Sequence, residues 1–309
     1  MTTTGYFNYL DPATLTPTTT PSGTARPWAK VDVNSTSYSQ ISIGPLPVTS
    51  IRTLPADSYS TDITGFNLFH APLSEPVDFD SDDQVRGVYY PAVESLLRAQ
   101  LPGVKKVVIF DHTIRKRDPT AARQPVQSVH VDQTPKAAEA RVRRHVDAAE
   151  AEALLKGRYQ IINVWRPIGH AATDFPLALI DWRTTRPEDL IPVELLYPVR
   201  KGDDDGDDRG KEVLPAAETL RSTEGYEVKG ETYGVVPSER HGFYYVKDMI
   251  PEEALFIKCF DSRAEGLPGG REGVAALTPH TAFVDPQTPE GTKGRESIEV
   301  RCLVFYEEE

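Results

Sequence analysis

YQIINVW, residues 159–165, is short, β-branched and aromatic, and it begins just after Gly157. Such a run reads as a strand. Five more of the same kind follow: Leu177–Trp182, Val193–Tyr197, Gly242–Lys247, Ala254–Phe260 and Ser297–Tyr306. Helical signals lie before Gly157. The stripe Val93, Leu96, Leu97 and Leu101 predicts a helix over Tyr90–Leu101, closed by Gly103. Thr134-Pro135 supplies an N-cap and a first-turn proline for a second helix. Asp147 to Glu150 has the capping-box spacing of a third, which stops at Gly157. Val107–Phe110 and the stretch PVQSVHVDQT (125–134) add short strands. A few helices followed by at least six short strands predict a mainly β fold, a sandwich or barrel with flanking helices packed outside.

Composition narrows the function classes. The chain has 309 residues, with 34 Lys and Arg against 46 Asp and Glu, a net charge of −12. That balance argues against a general nucleic-acid binder, whose phosphate contacts need a basic face. No apolar run approaches the roughly 18 residues of a membrane span, and the first residues show neither the basic nor the apolar region of a secretory signal. The two cysteines, Cys259 and Cys302, read as buried thiols in a reducing compartment, which together with the acidic surface points to the cytoplasm. Residues 1–60, rich in Thr, Ser and Pro, read as an extended arm with one strand pair near Ser39–Ile43, ahead of a single domain over 61–309. Such an arm can clasp a second copy, so a homodimer is an expectation. The acidic stretch 201–212 opens with the aspartate spacing of an EF-hand, but Asp208 stands where its glycine belongs and Leu214 where its glutamate belongs. It reads as a solvated loop. Phosphate-loop, dinucleotide-fingerprint and nucleophile-elbow motifs are absent from the sequence.

The chemistry lies in the histidines. Seven occur, at 70, 112, 130, 145, 170, 241 and 280, and two of them sit in the tripeptide His-Val-Asp. In a strand, residues i and i+2 point to one face, so His130 and Asp132 can grip one ion. His145 and Asp147 fall in a helical stretch, where the same spacing turns them about 200° apart. His130 and Asp132 supply two-thirds of a 2-His-1-carboxylate triad, the iron site that leaves positions open for cosubstrate and oxygen. His241 and His280 are the candidates for the third ligand. On the last strand, Arg295, Ser297, Glu299 and Arg301 share one face. An arginine fork there, with Ser297 beside it, suits the distal carboxylate of a dicarboxylic cosubstrate. Glu299 and Arg301 also have the makings of an ion pair.

The stretches PVQSVHVDQT (125–134), NVWRPIG (163–169), DFPLALID (174–181), GFYYVKDMIPEEALFIKCFDS (242–262), TPHTAFVDP (278–286) and RESIEVRCLVFY (295–306) resemble the fungal AsaB-like hydroxylase/desaturase family, with its gibberellin-desaturase and CmcJ relatives. The resemblance runs from about Val85 to Tyr306, leaving the first sixty residues and the acidic loop outside it. It implies a double-stranded β-helix, the cupin-like jelly roll of Fe(II)- and 2-oxoglutarate-dependent oxygenases. By that resemblance His130, Asp132 and His280 bind Fe(II), and Arg295 pairs with the distal carboxylate of 2-oxoglutarate. Arg301 stands as a second candidate for that pairing. Asn163 and Trp165, on one face of their strand, would line the site, while Arg166 points away and makes a structural ion pair. The implied reaction consumes O2 and 2-oxoglutarate, releases succinate and CO2, and hydroxylates or desaturates a small secondary metabolite. Two rivals remain at this level: a metal dioxygenase or isomerase needing no keto acid, and a jelly-roll binding protein without catalysis.

Overall fold

The computed structural model describes residues 2–15, 20–21, 23, 25–31, 33, 35–118, 120–121, 123–199 and 222–307. In chain order, β1 (Thr2–Leu10), β2 (Trp28–Lys30), β3 (Gln40–Ser50) and β4 (Phe66–His70) lead into a helical block, α1 (Asp82–Gln84) and α2 (Tyr90–Gln100), joined by a π-helical turn at Val85–Tyr89. After β5 (Val104–Lys116) and the two-residue β6 (His130–Val131) come α3 (Pro135–His145) and α4 (Ala148–Leu154). The remaining strands are β7 (Tyr159–Pro167), β8 (Leu177–Ile180), β9 (Leu190–Pro198), β10 (Tyr226–Val235), β11 (Phe243–Tyr245), β12 (Glu253–Asp261), β13 (His280–Ala282) and β14 (Glu296–Tyr306).

These strands form two sheets. One has nine strands in the order β1-β3-β11-β8-β13-β6-β10-β9-β2, the other five in the order β4-β12-β7-β14-β5. Most neighbours in the sheets are far apart in sequence, as in a jelly roll. Period-2 alternation decides what each face of the small sheet does. Ile162, Val164, Ile298, Val300, Cys302 and Val304 pack with Val93 and Leu97 of α2, so the helix covers that face. The opposite face carries Asn163, Trp165, Ser297, Glu299 and Arg301. Further along it, Leu303, Phe305 and Ile161 pack on Ala138 and Val142 of α3. That helix starts as its caps dictate. The Thr134 hydroxyl accepts a hydrogen bond from the backbone N–H of Ala137, and the Asp147 carboxylate does the same for α4 at Ala149.

β1, β2 and β3, all within the first sixty residues, belong to the large sheet. β1 pairs with β3 over its whole length, with the expected Ser39–Ile43 strand as the start of β3, and β2 lies beside β9. Phe7 and Tyr9 are 1% exposed, and Phe7 stacks on Phe243 with ring centroids 3.7 Å apart. The acidic stretch 201–212 lies outside the described residues. Among the described residues, no helix is long and apolar enough to cross a membrane.

Candidate metal centre and cosubstrate site

β6 and β13 are neighbours in the middle of the large sheet, and His130 and His280 are register partners across them. Their ring centroids lie 4.5 Å apart. Asp132, two residues beyond His130, turns to the same side, and one ligand atom from each of the three lies within 4.8 Å of the others. His130 Nδ1 is 2.8 Å from the carbonyl oxygen of Ser128, and His280 Nδ1 is 3.0 Å from that of Thr278. A carbonyl only accepts, so each Nδ1 carries the proton and each Nε2 keeps its lone pair. His130 Nε2 stands 3.4 Å from Asp132 Oδ1. Two imidazole nitrogens and one carboxylate oxygen, held from behind by protein groups, fit the donor set of a facial iron triad.

The small sheet fixes the carboxylate. Asn163 Nδ2 donates to Asp132 Oδ2 at 2.7 Å, and Arg301 Nε donates to the same oxygen at 3.1 Å. Burial pushes the Asp132 carboxyl up, but the Arg301 guanidinium and the two imidazoles outweigh it and hold the group well below the usual carboxylate range. At His280 burial lowers the pKa, reinforced by repulsion from His130 when that ring is protonated. At His130 burial is outweighed by the hydrogen bond and charge of Asp132, and the pKa rises.

Four of the five N–H groups of Arg301 are engaged. Besides Asp132, its guanidinium donates to Glu299 (2.6 Å), Asp111 (3.1 Å) and the Thr113 hydroxyl (2.9 Å). The expected Glu299–Arg301 ion pair is therefore present. As a bidentate receptor for a cosubstrate carboxylate Arg301 is displaced by its own partners: four acceptors leave a single N–H, on Nη2. Arg295 is the contrast. It is 1% exposed, Nη1 donates to the carbonyl of Phe175 at 2.6 Å, and Nε has no partner. Among the described residues no carboxylate pairs with its guanidinium. Burial, and then the charge of Arg115, lower its pKa to about 9. Phe175, whose carbonyl it holds, has φ 43°, the left-handed region that a bulky residue enters only when its surroundings force it.

Arg295, Ser297, Glu299, Arg301, His130 and His280 all line one cavity, with Trp165 as a further wall. The one-face reading of the last strand is thus what the structure has. Sequence reasoning does not single out Thr113 and Arg115, which line the same cavity. The signal is there in the i, i+2 spacing of Asp111, Thr113 and Arg115. Register places these residues opposite Arg301, Glu299 and Ser297.

Other expectations resolve differently. His241, the alternative third ligand, is engaged elsewhere: Nδ1 is 2.9 Å from the Tyr9 hydroxyl and Nε2 is 3.3 Å from Asp189. Arg166 does point away from the cavity, but among the described residues it makes no ion pair. It donates to the carbonyls of Pro251 and Ala71, both at 2.7 Å, and lies over the Tyr89 ring. The reason is local: backbone oxygens left without ladder partners at the ends of β4 and β12 are the nearest acceptors. His145 closes α3 and stacks on Phe110.

Comparison with known proteins agrees with this geometry. A family model described as "Oxidoreductase/YMDC permease-like domain" matches residues 7–305, so the likeness reaches back to Phe7 rather than starting near Val85. The hydroxylase/desaturase poxK of Penicillium oxalicum is 32% identical, covering 89% of this chain and 87% of that protein. The Fe(II)/2-oxoglutarate-dependent dioxygenase nvfI of Aspergillus novofumigatus is 30% identical over 81% of this chain and 79% of that protein. The solved structure of the iron and alpha-ketoglutarate-dependent endoperoxidase NvfI superimposes with a TM-score of 0.73 over 99% of this chain and 98% of that one, at 23% identity, and so shares the jelly-roll fold. The chain belongs to the family of fungal hydroxylase/desaturases that includes these Fe(II)- and 2-oxoglutarate-dependent oxygenases.

Proposed function

We propose that His130, Asp132 and His280 hold Fe(II), that Arg295 receives the distal carboxylate of 2-oxoglutarate, and that the protein hydroxylates or desaturates a small secondary metabolite. The observation that carries this reading is Arg295, a buried guanidinium with an orphaned Nε in the cavity that the two histidines line. A buried cation without an anionic partner is costly. A carboxylate arriving at Arg295 would relieve that cost and fix one orientation of the keto acid.

Iron bound at the triad would supply oxygen activation at the expense of the keto acid: R–H, O2 and 2-oxoglutarate would give R–OH, succinate and CO2. The protein's own part is positional. Ser128 and Thr278 orient the imidazoles through their carbonyls. Asn163 and Arg301 orient the carboxylate and keep it ionised. Trp165 and Leu177 wall the cavity against water. Both cysteines are buried free thiols, which supports a reducing compartment and our assignment to the cytoplasm.

The test is release of succinate from 2-oxoglutarate by the purified protein, followed with and without Fe(II) and without any added organic substrate. Slow, iron-dependent succinate formation is expected, abolished in His280→Ala. Succinate formed equally without iron, or none under any condition in a folded iron-bound protein, would contradict the reading.

A further inference from the structure

A second cavity shares no lining residue with the one around Arg295, yet Asp132 and Gln133 stand in its wall. Its volume is about 120 Å³, and its mouth opens to solvent. On one side α3 contributes Ala137, Ala140, Arg141 and Arg144, a spacing of 3, 4 and 7 that places them on a single stripe. On the other side β9 and β10 contribute Leu195, Lys229 and Gly230, and Gly230 sits where the β9–β10 register slips. The space exists because Ala137, Ala140 and Gly230 are small.

Its charges are arranged by partnership. The two carboxylates in the wall are already neutralised: Asp132 by Arg301 and Asn163, and Glu231 by Arg26 at 2.6 Å and the Thr134 hydroxyl at 2.6 Å. The cations are different. Arg141 lies over the Phe110 ring, 5.5 Å from its centroid, and pairs with no carboxylate among the described residues. Arg144 is exposed and likewise has no carboxylate partner among them. Lys229 is paired with Glu227 at 3.2 Å, so the uncompensated charge is that of the two arginines. On a chain of net charge −12 this is a local positive field, and its apolar floor runs to Asp132.

We propose that this cavity is the substrate pocket, and that it takes a compact, largely apolar molecule with one anionic group. The anion sits at Arg141 and Arg144. The apolar body lies along Ala137 and Ala140 and presents its far end beside Asp132. The pocket assignment rests on the triad being the metal site. The anion preference rests on the α3 stripe alone.

A matched pair of dyes separates the two. 1-Anilinonaphthalene-8-sulfonate and N-phenyl-1-naphthylamine share one apolar body and differ by the sulfonate. Fluorescence titration of wild type, Arg144→Glu, Arg144→Lys and Ala140→Trp should show tighter binding of the sulfonate than of the neutral dye. Arg144→Glu should weaken the sulfonate by about tenfold, the scale of one charge-assisted contact, and leave the neutral dye unchanged. Arg144→Lys should restore most of the affinity. Ala140→Trp should block both dyes, and Ala140 is exposed on α3, so the fold tolerates the replacement. Equal affinity for the two dyes, or indifference to Arg144→Glu, overturns the anion site, and full binding in Ala140→Trp overturns the location. Mn(II) at the triad should then broaden the NMR lines of the bound sulfonate dye. Bound Mn(II) without broadening overturns the substrate pocket. If Mn(II) does not bind, the metal reading falls and takes the pocket with it, and solvent relaxation without a bound-ion contribution identifies that case.

Discussion

Asp132 shows how much of a site one residue's partners decide. Its carboxylate is half-buried, and it stays ionised because Arg301 and Asn163 reach it from the opposite sheet. Removing one member of a buried charge pair typically costs about 3–5 kcal/mol, because the other is left uncompensated. Arg301→Met should therefore lower stability by that order in chemical denaturation and weaken metal binding at the same time. Unchanged stability would show that the pairing is incidental. His130 and Asp132 are legible in sequence because a strand's period of two puts them on one side. The same rule places Arg295 and Arg301 on one face and cannot tell their roles apart. What separates them is the neighbouring strand, where Asp111 and Thr113 on β5 face Arg301. Register across a sheet is not written in either strand alone.

At the scale of elements, α2, α3 and α4 fall where their stripe, proline and caps place them. β7, β9, β12 and β14 extend the expected runs by one to three residues at some ends. β1, β2, β4 and β10 are among the counter-examples. In β1 the buried side alternates through Thr3, Gly5, Phe7 and Tyr9, and the two small residues hide the period. Phe7→Ala should cost about 3–5 kcal/mol, the usual range for a buried aromatic, with a matching fall in the thermal midpoint. A change under about 1 kcal/mol would mean that β1 is dispensable. At the end of α3, burial, and then Arg141 and Arg144, lower the His145 pKa to about 4. In the unfolded chain it titrates near 6.5, so the unfolded state binds the extra proton first as pH falls. Stability contributed by neutral His145 is complete above about pH 6.5 and is lost progressively down to about pH 4. His145→Gln should flatten the melting temperature against pH over that window. An unaltered pH profile would contradict the assignment.

For the whole molecule, two sheets bring together pieces that the chain keeps far apart. The triad exists because β6 and β13 are neighbours in the large sheet, and its carboxylate is held because β7 and β14 are central in the small one. The sequence shows the kinds of residue and their faces. It does not show which distant strands meet, and so His241 and His280 stay equivalent until Tyr9 and Asp189 are seen to engage the first. The resemblance of motifs along the chain supplies what local pattern cannot, because the order of motifs reflects the topology. The central claim is that the triad binds iron and Arg295 binds the keto acid. Anaerobic titration of the apo protein with Fe(II) and then 2-oxoglutarate, read by visible absorption, tests it most directly. The expected result is a weak charge-transfer band that appears only with both, is absent in His280→Ala, and requires roughly 100-fold more keto acid in Arg295→Ala, the scale of a lost charge-assisted hydrogen-bond pair. Iron binding with no keto-acid band would instead place the protein among keto-acid-independent metalloenzymes, and no iron binding at all would leave a jelly-roll binding protein.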